Sequence, residues 1–251
     1  MSRDPRELAG AWTRFQRHEF PAPAPDLAPF VAKYWIVEWG YASPYRQLIV
    51  PYPHVHLTVQ DGGVPEVHGV SSGHVVRVLD GVGRVFGVEF RPGGFRPFLG
   101  SPVSALTDRT VPAADVPGLP AAGPARPVDV AAVEEWLRAA RPEPDPTALR
   151  VADVVATVVT EPGIRRVDDL AERCGTSVRR LQRLFAEYVG VGPKWVIRRY
   201  RLREATERMA RGGVADWAGL AAELGYADQA HFTRDFAAMF GEPPTHYAAR
   251  Y

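Results

Sequence analysis

Leu220-Ala221-Ala222-Glu223-Leu224-Gly225-Tyr226-Ala227-Asp228-Gln229-Ala230-His231-Phe232-Thr233-Arg234-Asp235-Phe236 decides the fold of the C-terminal part of this chain, because it repeats an earlier stretch. Leu170-Ala171-Glu172-Arg173-Cys174-Gly175 through Phe185 follows the same plan. In each copy an apolar helix ends at a glycine, a short polar turn follows, and a second helix opens at a capping residue, Ser177 or Asp228. The second copy is one residue longer, in the turn. Two helices joined in this way present the second one to the major groove of duplex DNA.

Outward from the repeat the two copies keep matching. Phe185 is followed by Gly190-Val191-Gly192-Pro193 and Phe236 by Gly241-Glu242-Pro243-Pro244, each at an offset of five residues. Glycine stops one helix and proline starts the next. Between the copies, Trp195, Val196, Tyr200, Leu202 and Met209 predict a long helix from Pro193 to about Met209, ended by Gly212-Gly213. Asp145-Pro146-Thr147 predicts another helix start, with Leu149, Val151, Val154, Val155 and Val158 at helical spacing before Pro162-Gly163.

The N-terminal part has a different texture. Residues 35–39, 47–50, 55–59, 75–79 and 84–90 are short β-prone runs, separated in places by Asp61-Gly62-Gly63 and Asp80-Gly81-Val82-Gly83, which read as turns. Regularly spaced short strands predict a barrel or sandwich. Prolines cluster between Pro117 and Pro146 around one helical segment, Val128–Ala140, whose Val130, Val133, Trp136 and Leu137 form an apolar stripe suited to pairing between copies or to docking on the β domain. The expected organisation is α+β: a β-rich regulatory domain over 1–116, a Pro-rich linker with one helix over 117–146, and an all-α domain of two helix-turn-helix units joined by a long helix over 147–251.

The 251 residues carry a formal net charge of +1, with 46% hydrophobic and 24% charged residues, the balance of a soluble globular protein. The charge is unevenly placed: eight basic residues lie between Arg179 and Arg203, against Glu187 and the adjoining Glu204, so one stretch is basic enough to track phosphates. No apolar run reaches the roughly 20 residues of a membrane span, and Met1-Ser2-Arg3-Asp4-Pro5 lacks the apolar stretch of a signal peptide, so the expected location is the cytoplasm. The single cysteine, Cys174, excludes an internal disulfide or a multi-cysteine zinc site.

Gly225 to Phe236, followed by Phe240-Gly241-Glu242-Pro243-Pro244-Thr245-His246-Tyr247, resembles the DNA-binding domain of the AraC/XylS family of transcription regulators. The resemblance covers roughly the last hundred residues. The N-terminal part is similar to the β-rich, cupin-like domain of some members through Val88-Glu89-Phe90-Arg91-Pro92-Gly93-Gly94-Phe95 and Pro97-Phe98-Leu99-Gly100. The resemblance implies a non-enzymatic regulator, activator or repressor, that binds double-stranded DNA without a cofactor. It implies that Arg179, Gln182 and Arg183 face the groove. Arg180 lies beside them, and Gln229, His231, Thr233 and Arg234 form a sparser set on the second recognition helix. Arginine and glutamine can make bidentate contacts with guanine and adenine edges. Lys194, Arg198 and Arg199 are expected on phosphates. RNA polymerase and a second copy of the chain enter as further partners. In the β-rich domain, Tyr34, Trp35, Trp39, His54, His56, Glu89 and Arg91 are the candidate lining of a pocket for a small-molecule effector.

Two alternatives come from the same residues. His54 and His56 share one strand face, as metal ligands of cupin enzymes do, with His68, His74 or Glu89 to complete a site. Gln60 stands where a carboxylate is needed and no histidine follows Pro92-Gly93-Gly94, which weighs against a metal and a metal-dependent activity. An alkyl-transfer repair protein needs a reactive thiolate and a cysteine cluster, and one helical cysteine does not supply them.

Overall fold

The computed structural model describes residues 4–251 apart from Asp61, Arg141, Gly213 and Ala215. A 3-10 turn, Pro5–Glu7, and a short helix α1, Trp12–Phe15, lead into strands β1, Gln16–Glu19, β2, Val31–Ile49, β3, His56–Gln60, β4, Glu66–His68, and β5, Val75–Phe90. Helix α2, Arg96–Leu99, strand β6, Thr110–Pro112, and helix α3, Val130–Ala139, complete the first region. The second is helical: α4, Pro146–Thr160; α5, Val167–Arg173; α6, Val178–Tyr188; α7, Pro193–Ala210; α8, Trp217–Glu223; α9, Gln229–Phe240; and α10, Pro244–Ala248.

The six strands form one antiparallel sheet in the order β1-β2-β5-β3-β4-β6. Two of its strands are far longer than the sequence predicts. The runs 35–39 and 47–50 are parts of β2, and 75–79 and 84–90 are parts of β5, so Asp80 to Gly83 is strand and not a turn. The glycines there serve a different purpose. Trp39 lies opposite Gly83 and Trp35 opposite Gly87, and a Cβ at either glycine would fall inside the facing indole. Bare backbone at these two positions lets each indole lie flat across the neighbouring strand. The register shifts between Tyr41 and Tyr45, a local bulge where the paired strands extend beyond β1 and β3. At the β3–β4 turn, Gly63 N donates to Gln60 O at 2.9 Å; Asp61 lies outside the described residues.

One sheet face is apolar. Tyr34, Ile36, Leu57, Val59, Val67, Phe86, Val88 and Phe90 pack there against Phe95 and Phe98 around α2 and against Val133, Trp136 and Leu137 of α3. Each such side chain contributes about 1.5–3 kcal/mol through burial. The α3 stripe is thereby used within the chain, and Trp136 Nε1 anchors it further by donating to Ala122 O.

The helical region has two cores joined by α7. Val155, Leu170, Leu181, Phe185 and Val196 form the first; Leu202, Met209, Leu220, Phe232, Phe236 and Phe240 form the second. Helix starts fall where the capping residues predict: Asp145 accepts from Thr147 N at 2.7 Å, Ser177 from Arg180 N at 3.3 Å, and Asp228 from His231 N at 2.6 Å. The α7 helix begins at Pro193 as expected and ends at Ala210 before Gly212; Gly213 of the predicted stop lies outside the described residues.

Candidate nucleic-acid interface

Helix α6 buries Leu181 and Phe185 against the first core, four residues apart on one face. Arg179, Arg180, Gln182 and Arg183 consequently stand on the opposite side, all exposed. Helix α9 repeats the arrangement: Phe232 and Phe236 are buried, Gln229, His231 and Arg234 are exposed, and Thr233 is half-buried. Asp228 fixes the start of α9, and His231 packs edge-on against Tyr226 with ring centroids 5.2 Å apart. Replacing Asp228 by alanine leaves an N-terminal donor without its acceptor and should cost about 1 kcal/mol of stability. Thermal melts of the two proteins check this, and an unchanged midpoint would count against the cap.

The three expected phosphate contacts separate. Lys194 is exposed at the start of α7. Arg198 is half-buried, its Nη1 3.6 Å from Asp235 Oδ1, so it ties α7 to α9. Arg199 is a correction: it is only 3% exposed, and its Nε donates to Pro51 O at 2.6 Å, well away from any position on a DNA-facing surface. The physical reason is its phase on α7. Arg199 lies three residues from both Val196 and Leu202, on the stripe that packs inward.

The seven expected pocket residues do not converge on one site. Trp35, His54, His56 and Glu89 come together on the polar sheet face: Trp35 Nε1 is 3.4 Å from His56 Nδ1, His54 Nδ1 is 3.8 Å from Glu89 Oε1, and Lys33 Nζ is 3.3 Å from Glu89 Oε2. Lys33, and Tyr52 beside His54, belong to this group although the sequence reading passed over them. Tyr34 points into the opposite, apolar face, where its hydroxyl donates to Glu134 at 3.3 Å. Strand alternation alone separates Tyr34 from Trp35. Trp39 packs with Tyr41 and Tyr45 farther along β2, and exposed Arg91 donates to Ala28 O at 2.6 Å. A cavity of about 690 Å³ opens between β1, β2 and β5, and of the seven residues only Trp39 lines it.

Burial drives the His56 pKa down to about 3, with repulsion from His54, His68 and Lys33 adding to it. Burial also lowers His54, against the opposing pull of Glu89. His68 is engaged by Thr58 at 2.7 Å and Thr110 at 2.9 Å, while His74 lies 3.3 Å from Ala238 O. Among the described residues no group of three or more His, Cys, Asp or Glu side chains is arranged to hold a metal ion, and no helix is long and apolar enough to cross a membrane.

Two capped helix-turn-helix units on a shared helix, each with a polar recognition face, define a DNA-binding protein. Comparison with known proteins agrees. Residues 170–250 match the family described as helix-turn-helix domain, and residues 19–112 match a domain of unknown function, DUF6597. The C-terminal part of the chain is therefore a helix-turn-helix domain. No curated protein matches it. Solved structures similar to it include a transcriptional regulator with an AraC-type DNA-binding domain from Chromobacterium violaceum, at 22% identity over 39% of this chain and 91% of that one, with a TM-score of 0.35. An apo variant of ToxT from Vibrio cholerae is 12% identical over 86% of this chain and 97% of that one, with a TM-score of 0.41. Wild-type ToxT from the same organism bound to an unsaturated fatty acid is 10% identical over 93% and 92%, with a TM-score of 0.38.

Proposed function

We propose that the chain controls transcription by reading two successive major-groove segments of one duplex, α6 in the first and α9 in the second, about 34 Å or one helical turn apart. The observation that carries this is the exposed Arg179, Gln182 and Arg183 row over a buried Leu181 and Phe185, on a helix whose start is fixed by Ser177. Arg179, Arg180, Gln182 and Arg183 supply most of the base readout; Gln229, His231, Thr233 and Arg234 supply a weaker second set. Lys194 adds phosphate affinity that falls with salt. Two recognition helices on one chain occupy both grooves without a second copy, and the α3 stripe that would favour pairing is already covered.

The sensor in this reading extends through α3, since Val133, Trp136 and Leu137 belong to its core, and the DNA-reading domain begins at α4. Its effector site draws on Trp35, His54, His56 and Glu89, where aromatic walls and a few polar anchors meet. The chain works in the cytoplasm, with the DNA and with RNA polymerase, and its role needs no catalytic step.

Selection from random duplexes at a stated physiological salt tests the proposal. The expected product is a two-box site with boxes one turn apart. Arg183→Ala should weaken binding to that site by about 1–3 kcal/mol and relax the base choice at one position. An equal loss on random DNA would remove Arg183 from the readers.

A further inference from the structure

Arg199 is buried where three parts of the chain meet. Its Nε donates to Pro51 O at 2.6 Å, and its guanidinium carbon lies 3.9 Å from the centroid of the Tyr52 ring, both in the β2–β3 connection. The same carbon is 5.6 Å from the ring centroid of Phe240, in the second helix-turn-helix unit. Arg199 itself belongs to α7, and its Nη1 has no hydrogen-bond partner. A buried guanidinium held by the Pro51 carbonyl, by Tyr52 and by the Phe240 ring, with no carboxylate in salt-bridge reach among the described residues, is a costly way to fill space. What it adds over an aliphatic side chain is direction, because a planar fork between a carbonyl and a ring face permits one orientation.

The surroundings give that direction a use, since the β-rich domain holds both helix-turn-helix units. On the first, Val70 is part of the core, Thr107 Oγ1 donates to Gly190 O at 2.6 Å, and Arg96 Nε is 2.6 Å from Glu187 Oε1. At the start of α7, Trp195 Nε1 donates to Ser72 O at 2.7 Å. On the second, Val50 packs against the core and His74 Nδ1 donates to Ala238 O at 3.3 Å. A side chain at position 241, just after α9, would run into Leu48 and His74. The connection around residues 70–74 therefore touches both units, and the one around 48–52 touches the second unit and, through Pro51 and Tyr52, Arg199 of α7.

We propose that the β-rich domain is a spacing gauge that fixes the separation and angle of α6 and α9 on DNA, with Arg199 as the positioning residue that registers α7 against it. The inference rests on the two-groove reading above. Within that reading, α7 sets the connection between the units and the β-rich domain sets their geometry. A device of this kind acts on the coupling between two boxes and leaves the reading of each box alone.

The test uses the full chain and three duplexes: the selected two-box site, the same site with one base pair added between the boxes, and the first box alone. Arg199→Met should leave affinity for the single box within twofold of the parent, lower affinity for the two-box site at least tenfold, and abolish the preference for the original spacing. Tyr52→Ala removes the facing ring without altering the helical domain and should give the same pattern. Arg199→Lys keeps a donor for Pro51 O and should recover part of the two-box affinity. Unchanged two-box affinity and spacing preference in Arg199→Met and Tyr52→Ala would overturn the gauge. So would an equal fall on single and paired boxes in both variants, which would mean that the site merely holds the fold. A parent protein that fails to distinguish two boxes from one would instead defeat the two-groove reading on which the gauge depends.

Discussion

Phe236→Ala is expected to cost about 3–5 kcal/mol and to loosen the second helix-turn-helix unit while the first remains folded. Phe236 is fully buried, stacked on Phe240 with ring centroids 4.3 Å apart and planes 11° apart, and met edge-on by Tyr247 at 5.4 Å. Phe232 closes the group at 5.8 Å. Truncation therefore removes one ring and the aromatic contacts of three others. The first unit draws on separate residues, Leu170, Leu181 and Phe185 among them. Hydrogen exchange read segment by segment distinguishes the outcomes: protection should fall over α8 to α10 and persist over α5 and α6. Uniform loss, or none, would mean that the two cores do not behave as separate units.

Acid should destabilise the β-rich domain from about pH 6.5 downward, well before the carboxylates titrate. His56, with its pKa pushed down to about 3, remains neutral in the folded chain under conditions where an unfolded histidine takes a proton, and burial shifts His54 and His68 in the same direction. The sign follows from proton uptake. The unfolded state binds more protons below pH 6.5, so stability falls as the pH falls, for His56 by roughly 1.4 kcal/mol per unit at most. For His56 the loss continues to about pH 3. The indole N–H of Trp35 directed at His56 Nδ1 agrees, since only a neutral ring can accept there. Between pH 6.5 and 5 the single group should account for about 2 kcal/mol. Urea midpoints measured across that interval should fall steeply in the parent and less steeply in His56→Gln; equal slopes would assign the acid response to other groups.

The helical half was legible because its signals are local. Asp145, Ser177 and Asp228 each accept a backbone N–H two or three residues on, and Pro193 opens α7, so caps and helical spacing placed those starts within the sequence itself. Arg199 departs from the expected phosphate contact because of its phase on α7. Its three-residue spacing from Val196 and Leu202 puts it on the inward stripe, a signal outweighed by the density of positive charge around it. In the β-rich half the decisive pairings are distant in sequence. Gly81 and Gly83 carry the same letters as a turn, and only the opposed Tyr41 and Trp39 reveal a continuous strand. The short β4 and β6, three residues each, are too brief for alternation to declare itself. The candidate pocket was dispersed by strand parity and by distance along β2, which a list of aromatic and imidazole residues does not carry.

The indoles laid across bare backbone make two positions share one volume. Trp35 fills the space that a side chain at 87 would occupy, and Trp39 fills that at 83. A methyl group gained on β5 has to be matched by bulk given up on β2, so neither member of a pair can drift alone through the generations. Positions 35 and 87, and likewise 39 and 83, are expected to change together, a small residue at 35 or 39 being the licence for a larger one across the strand.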